Sequence, residues 1–389
     1  MVSIVSGGAA SPSPERGAMM ARNTTRLSKG SLSRRAFTTC GLVGGAALAA
    51  PRISRARRLT DETIIGEGEY QFRARHQFPD LPDRFTWQTT HGVALDKAGN
   101  LYVIHEGKKQ QKDHPTIFVF DPQGAFVRAF GSQFQGGGHG IEVRQEGSEE
   151  FLYVCGYQQV KAFAKLTLTG ETVWYRKAPM ESGVYAAGED VSTTANWSRQ
   201  GFLPTNVAFL DDGGFLLADG YGSFRIHRYD KDAAWVSCFG GPGDGEGTFK
   251  TAHGLWIDRR PAADGSAREP TIVVTDRAHN TLQVFSLDGT YQQTIPGFGL
   301  PANVDTWKNL MLVPELKASV SLLDENYRVV ARLGRADERL ASIKGLRSQP
   351  QQWLNGQFVH PHDACFTPAG DIFVAEWVST GRVTKLERV

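Results

Sequence analysis

A phrase recurs along this chain, and its period restricts the folds open to it. It reads HGVALDKAGNLYVIHEG from His91, GHGIEV with FLYVCGY around His139, and TNVAFLDDGGFLLADGY from Thr205. It returns as HGLWID with TIVVTDR from His253, ANVDTWKNLMLVPE from Ala302, and FVHPHDACFTPAGDIFVAEW around His362. Each copy joins two short apolar strands through a turn, most of them rich in Gly, Asp or Asn. The opening residues are spaced roughly 48, 66, 48, 49 and 60 residues apart. A period of about 40–50 residues with four short strands per unit marks a β-propeller. Six copies therefore predict an all-β, six-bladed β-propeller.

The blades are expected at Trp87–Gly131, Gly136–Ala178, Leu203–Gly241, Thr251–Gly297, Leu300–Gly334 and Phe358–Val389. The last has room for only three strands. Tyr70–Phe78 alternates apolar and polar residues, so it is expected to supply the missing outer strand. Closure of this kind removes the open sheet edges. Three inserts interrupt the period: Pro179–Gln200, expected to cross the top face, an exposed Arg259–Pro270, and a polar Arg335–Asn355.

Ahead of the repeats, Ser33-Arg34-Arg35-Ala36-Phe37 precedes the mild apolar run Gly41–Ala50 and an Ala47-Leu48-Ala49 triplet. A twin-arginine pair, such a run and an A-x-A site predict a Tat-type export signal, with a linker, over residues 1–60. The run is shorter than the ~20 residues a bilayer requires. The expected location is therefore periplasmic or extracellular, and the propeller occupies 61–389. With 22% charged residues and a net charge of +2, the chain has no field suited to nucleic acid. Beyond the signal remain Cys155, Cys238 and Cys365, an odd number in strand-like runs, which reads as buried thiols with one disulfide left open.

The opening residues ring one mouth of the central channel. His139, His253 and His362 come from blades two, four and six, about 120° apart in a six-fold ring. One histidine at a strand start is an ordinary rim residue. Three at alternate blades match what a catalytic zinc needs, three imidazoles and an open position. His91, from blade one, is a further ligand or a group behind the ligands. Loops after the second strands face the same side and carry Glu106, Tyr157, Tyr221, Arg277, Glu315 and Trp377 in turn. A phenol and a guanidinium beside a metal form an acid–base set, with the Arg277 cation favouring tyrosinate at Tyr221. Individually, Tyr221 also fits a rim aromatic and Arg277 an ion-pair partner of Asp276. Asp363 is placed to orient a neighbour or to bind a hard cation with backbone carbonyls.

These stretches resemble NHL-repeat propellers, and among them the peptidyl-α-hydroxyglycine α-amidating lyases, from about Trp87 to the end. The residues that carry the resemblance are the histidines, Asp219-Gly220-Tyr221 and Asp276-Arg277. The resemblance implies zinc held by His139, His253 and His362, Tyr221 as base and Arg277 as its charged partner. It also implies a structural calcium at Asp363 with the backbone oxygens of Val93 and Ile141, a peptide substrate, and room for a monooxygenase partner. Two positions depart from the family. Its His-Arg-Gly triplet is here His105-Glu106-Gly107, an anion for a cation, and His91 has no counterpart. A hydrolase or lactonase using Glu106, and a binding propeller without catalysis, remain as alternatives.

Overall fold

The computed structural model describes residues 63–389, and the expected export signal lies outside the described residues. Twenty-five strands form six sheets, one per predicted blade. Blade one is Thr90–Leu95, Leu101–His105, Ile117–Phe120 and Phe126–Phe130, joined as an antiparallel meander with Thr90–Leu95 innermost. The same order holds in the other blades. Their inner strands are Gly138–Glu146, Asn206–Phe209, Ala252–Asp258, Asp305–Trp307 and Pro361–Phe366.

Alternation along each strand builds the core. In Leu101–His105, Leu101 and Val103 pack toward blade six, while Tyr102 and Ile104 pack toward blade two. Side chains of period two thus feed two interfaces from one strand. Six apolar clusters result, one in each seam between neighbouring blades. Because no blade is buried on its own, the ring folds as a unit.

The ring closes as the alternation predicts. Phe72–Arg75 pairs antiparallel with Arg382–Arg388, Ala74 facing Leu386, and completes blade six. A fifth strand, Thr63–Ile65, adds outside it; three residues are too few to show a period. Two of the inserts differ from expectation. Arg260, in the segment expected to be exposed, is buried against Asp258 (2.9 Å) and donates to the Asp324 carbonyl (2.7 Å). A buried carboxylate needs such a partner, and the insert pins blade four to blade five. The insert expected to be polar contains the helix Asp337–Ser342 and buries Leu346 with Val359 and Val378. Among the described residues Cys155, Cys238 and Cys365 are free thiols, and no helix is long and apolar enough to cross a membrane.

Candidate metal centre

His91, His139, His253 and His362 are each the second residue of an inner strand. At each one the pairing with the next strand shifts register: between Thr90 and Gly92, Gly138 and Ile141, Ala252 and Leu255, and Pro361 and Asp363. Blade three pairs the named residues of its first two strands without a shift, whereas blade five repeats the offset between the Pro301–Glu315 bridge and the Asp305–Leu312 pair. A bulge bends the strand and re-aims one side chain. Here it turns an imidazole toward the axis. The glycine after His139 and after His253 serves the same approach, because a Cβ on Gly140 or Gly254 would lie 2.2 or 2.5 Å from the carbonyl of Thr205 or Ala302.

Those carbonyls have a role. His139 Nδ1 donates to Thr205 O (2.8 Å), His253 Nδ1 to Ala302 O (2.6 Å), and His362 Nδ1 to His91 O (2.8 Å). Each bond runs to the opening residue of the next blade. A carbonyl only accepts, so all three rings carry their proton on Nδ1 and present a bare Nε2 lone pair. His139 Nε2 and His253 Nε2 then face each other at 3.1 Å with no proton between them, and the buried His362 Nε2 has no partner. Nitrogens bound about 2.0–2.1 Å from one ion stand roughly 2.9–3.4 Å apart at the usual angles. Burial, first of all, holds all four imidazoles well below their ordinary pKa, His139 at about 3. Neutral rings are what a cation requires. A cavity of about 10 Å³ lies among them, enough for one ion or water.

Tyr221 and Arg277 stand at the edge of this group. The Tyr221 hydroxyl donates to His253 Nε2 (3.0 Å) and accepts from Arg277 (2.8 Å), whose guanidinium lies 4.9 Å from the ring centre. The Arg277 cation favours tyrosinate, as expected. Burial outweighs the Arg277 cation and keeps the phenol above its usual range, with Glu106 adding to the rise. Glu106 lies on the other flank, Oε2 at 3.9 Å from His91 Nε2, and its Oε1 accepts from Gln158 (2.6 Å).

Two inserts enclose the mouth. Trp197, half exposed, meets the edges of Tyr221 (5.7 Å) and Tyr157 (6.2 Å) from the 179–200 segment. A buried Lys161–Glu189 pair at 2.6 Å holds that segment down. Arg347 reaches in from the other insert, 3.6 Å from the Trp377 ring and bonded to Trp377 O (2.9 Å).

Asp363 follows His362 and lines both the cavity among the histidines and a second one. It meets Val93 through the Val93 N–H (2.9 Å) and accepts from the Asn303 amide (2.6 Å). The Ile141 side chain sits in the apolar core, while its successor Glu142 lines, with Val93, Asp305 and Asp363, a lower cavity of about 170 Å³. Burial raises Asp363 and Asp305 to about 7, and burial, with Asp363 beside it, raises Glu142 well above the ordinary carboxylate range.

Glu315 does not belong with the mouth residues. It closes its strand and turns inward to Ser321, Arg332 (2.6 Å) and the Gly299 N–H. Asp219, Asp276 and Glu376 close the second strands of blades three, four and six and accept backbone N–H groups in the same way. Tyr157, whose ring is 5.0 Å from His139 and 5.3 Å from Tyr221, was legible through the Gly-Tyr pair that follows this position in blades two and three. Arg347 lies in non-repeating sequence and had no such signal.

No family model matches the chain. Among curated proteins it is 24% identical over 322 residues to peptidyl-alpha-hydroxyglycine alpha-amidating lyase 1 of Drosophila melanogaster, covering 73% of this chain and 54% of that protein. The chain thus spans about half the length of this relative. A gluconolactonase from Xanthomonas campestris has a TM-score of 0.50 at 12% identity over 82% of this chain and 90% of its own. A catalytically inactive virginiamycin B lyase from Staphylococcus aureus, solved with quinupristin, has a TM-score of 0.50 at 12% identity over 82% and 100%. At such identity the likeness is one of fold.

Proposed function

We propose that this propeller is a metal-dependent lyase that cleaves a carbinolamide C–N bond, the chemistry of a peptidyl-α-hydroxyglycine lyase. The observation that carries the reading is the convergence of three buried, unprotonated Nε2 atoms, that of His253 met by the Tyr221 hydroxyl, beside Arg277. The curated relative, named as such a lyase, supports it. His139, His253 and His362 would hold zinc, which supplies Lewis-acid polarisation of a substrate oxygen and positive charge beside Tyr221.

Tyr221 takes the proton of the substrate hydroxyl and returns it to the departing amide nitrogen. The C–N bond breaks as the C=O forms, and no proton is consumed overall. Arg277 holds the phenol oxygen in place and offsets its charge as tyrosinate, against the burial that favours phenol. Tyr157 and Trp197 exclude water from that oxygen. We further propose that the protein is exported folded, with its ion loaded beforehand.

The Glu106 carboxylate, 3.9 Å from His91, favours a second reading, a lactonase that uses it as base. Turnover of peptidyl-hydroxyglycines and of lactones by the wild type, Tyr221→Phe and the His139→Ala/His253→Ala pair separates the two. The lyase reading expects C–N cleavage, a fall of roughly 10²–10⁴-fold in Tyr221→Phe with metal retained, and loss of stoichiometric metal in the double variant. Lactone turnover that survives Tyr221→Phe but not Glu106→Gln would transfer the assignment to the lactonase. Stoichiometric metal that persists in the double variant would sink the three-histidine site.

A further inference from the structure

We infer that His91 is a fourth ligand of the same ion, so that the centre is built from four imidazoles and suits a transition ion of higher coordination than tetrahedral zinc. The inference rests on the metal reading above and changes its donor set.

Three independent features carry it. His91 occupies the same second position of its inner strand as the other three, within the same kind of register shift. At that position His91 lines the axial cavity together with the other three imidazoles. Its ring lies 4.9 Å from that of His139 and 4.6 Å from that of His362, and one nitrogen of each of the three lies within 4.8 Å of the others. His139, His253 and His362 form an adjoining triangle with ring separations of 4.7, 4.8 and 4.9 Å. The two triangles share His139 and His362.

The third feature is hydrogen bonding. The other three rings spend Nδ1 on a carbonyl of the next blade, whereas His91, 1% exposed, has a buried Nδ1 with no hydrogen-bond partner. Glu106 is 3.9 Å from its Nε2, beyond a hydrogen bond. Leaving a buried ring nitrogen unmet is costly, and at His91, unlike the equally unmet His105, nitrogens of other imidazoles stand close by. An ion among the four rings meets that need.

Four protein ligands would fill a tetrahedral zinc and leave no position for substrate beside Tyr221. The open position that a reaction needs therefore calls for an ion that takes five or six ligands and accepts imidazole readily: iron(II), cobalt(II), nickel(II) or copper(II). Such a centre still supplies the Lewis acid of the proposed reaction.

The test counts ligands and needs no substrate. Metal-free full-length protein is titrated with Co²⁺ and with Zn²⁺, and imidazoles per ion are counted by X-ray absorption in the wild type, His91→Ala and His91→Gln. The inference expects four imidazoles on cobalt in the wild type and three in either variant. It also expects cobalt affinity to fall roughly tenfold or more in the variants, the loss that even an outer partner of a ligand can cause. Should a variant fail to fold, the wild-type count alone decides. Three imidazoles in the wild type, with stoichiometric ion, overturns the fourth ligand and leaves the metal reading standing. A wild type that binds neither ion overturns both.

Discussion

Glu106 sets the charge on one flank of the mouth, opposite Tyr221 and Arg277, and it is only partly shielded from water. A substrate that presents a carboxylate there meets repulsion of a few kcal/mol at most. Glu106→Arg should therefore raise turnover of a peptidyl-hydroxyglycine with a free carboxylate, by roughly tenfold or about 1.4 kcal/mol. Unchanged or reduced turnover of that substrate would mean that the carboxylate itself takes part. At this scale the histidines were legible because the repeat aligns them, and Tyr221 and Arg277 because they follow the same strand end. What could not be read was which charge would dominate. The Arg277 cation was visible in the sequence, but the depth of burial that overrides it at Tyr221 comes from blades and inserts far away in the chain.

The elements add a feature that depends on pH. His76, just past the closing strand, accepts from the Gly356 N–H on Nε2 (3.0 Å) and donates from Nδ1 to Thr384 Oγ1 (2.7 Å). It ties the closing strand to blade six and to the segment before it. The bond that Nε2 accepts fits the neutral ring only. Burial, then the Arg382 cation, lower its pKa from 6.5 to about 4. In the unfolded chain the ring takes a proton below about pH 6.5, while the folded ring resists it down to about 4. Its contribution is thus present above pH 6.5 and is lost as the pH falls to 4, amounting to about 3 kcal/mol. Urea midpoints at pH 7 and pH 4 should differ less in His76→Gln than in the wild type; an equal difference would remove His76 from the acid response. The closing strand itself was legible from alternation. The bulges under the histidines were not, since a register shift depends on two strands together and leaves no mark on either alone.

At the scale of the whole molecule, the six seams are equivalent in kind, and the ring depends on the last being closed. Removing residues 1–62 should leave thermal stability unchanged. Removing residues 1–78 takes Ile65, Phe72 and Ala74 out of the seam between blades five and six. Loss of a buried Phe alone costs about 3–5 kcal/mol, so the melting temperature should fall on the order of 10 °C. Equal melting temperatures for the two truncations would show that the amino-terminal strands only decorate blade six. The three histidine-to-carbonyl bonds bear on the same ring in another way. They run from blade two to three, four to five and six to one, while the alternate seams are bridged by other groups: Gly138 N–H to Glu106 O (3.1 Å), Thr205 Oγ1 to Ala252 O (3.4 Å) and His360 Nδ1 to Leu316 O (2.6 Å). Every seam is thus stitched, but only at every second one is the stitch an imidazole of the central group. Rocking of one blade against the next at those three seams should pass directly to the imidazole that each bond orients.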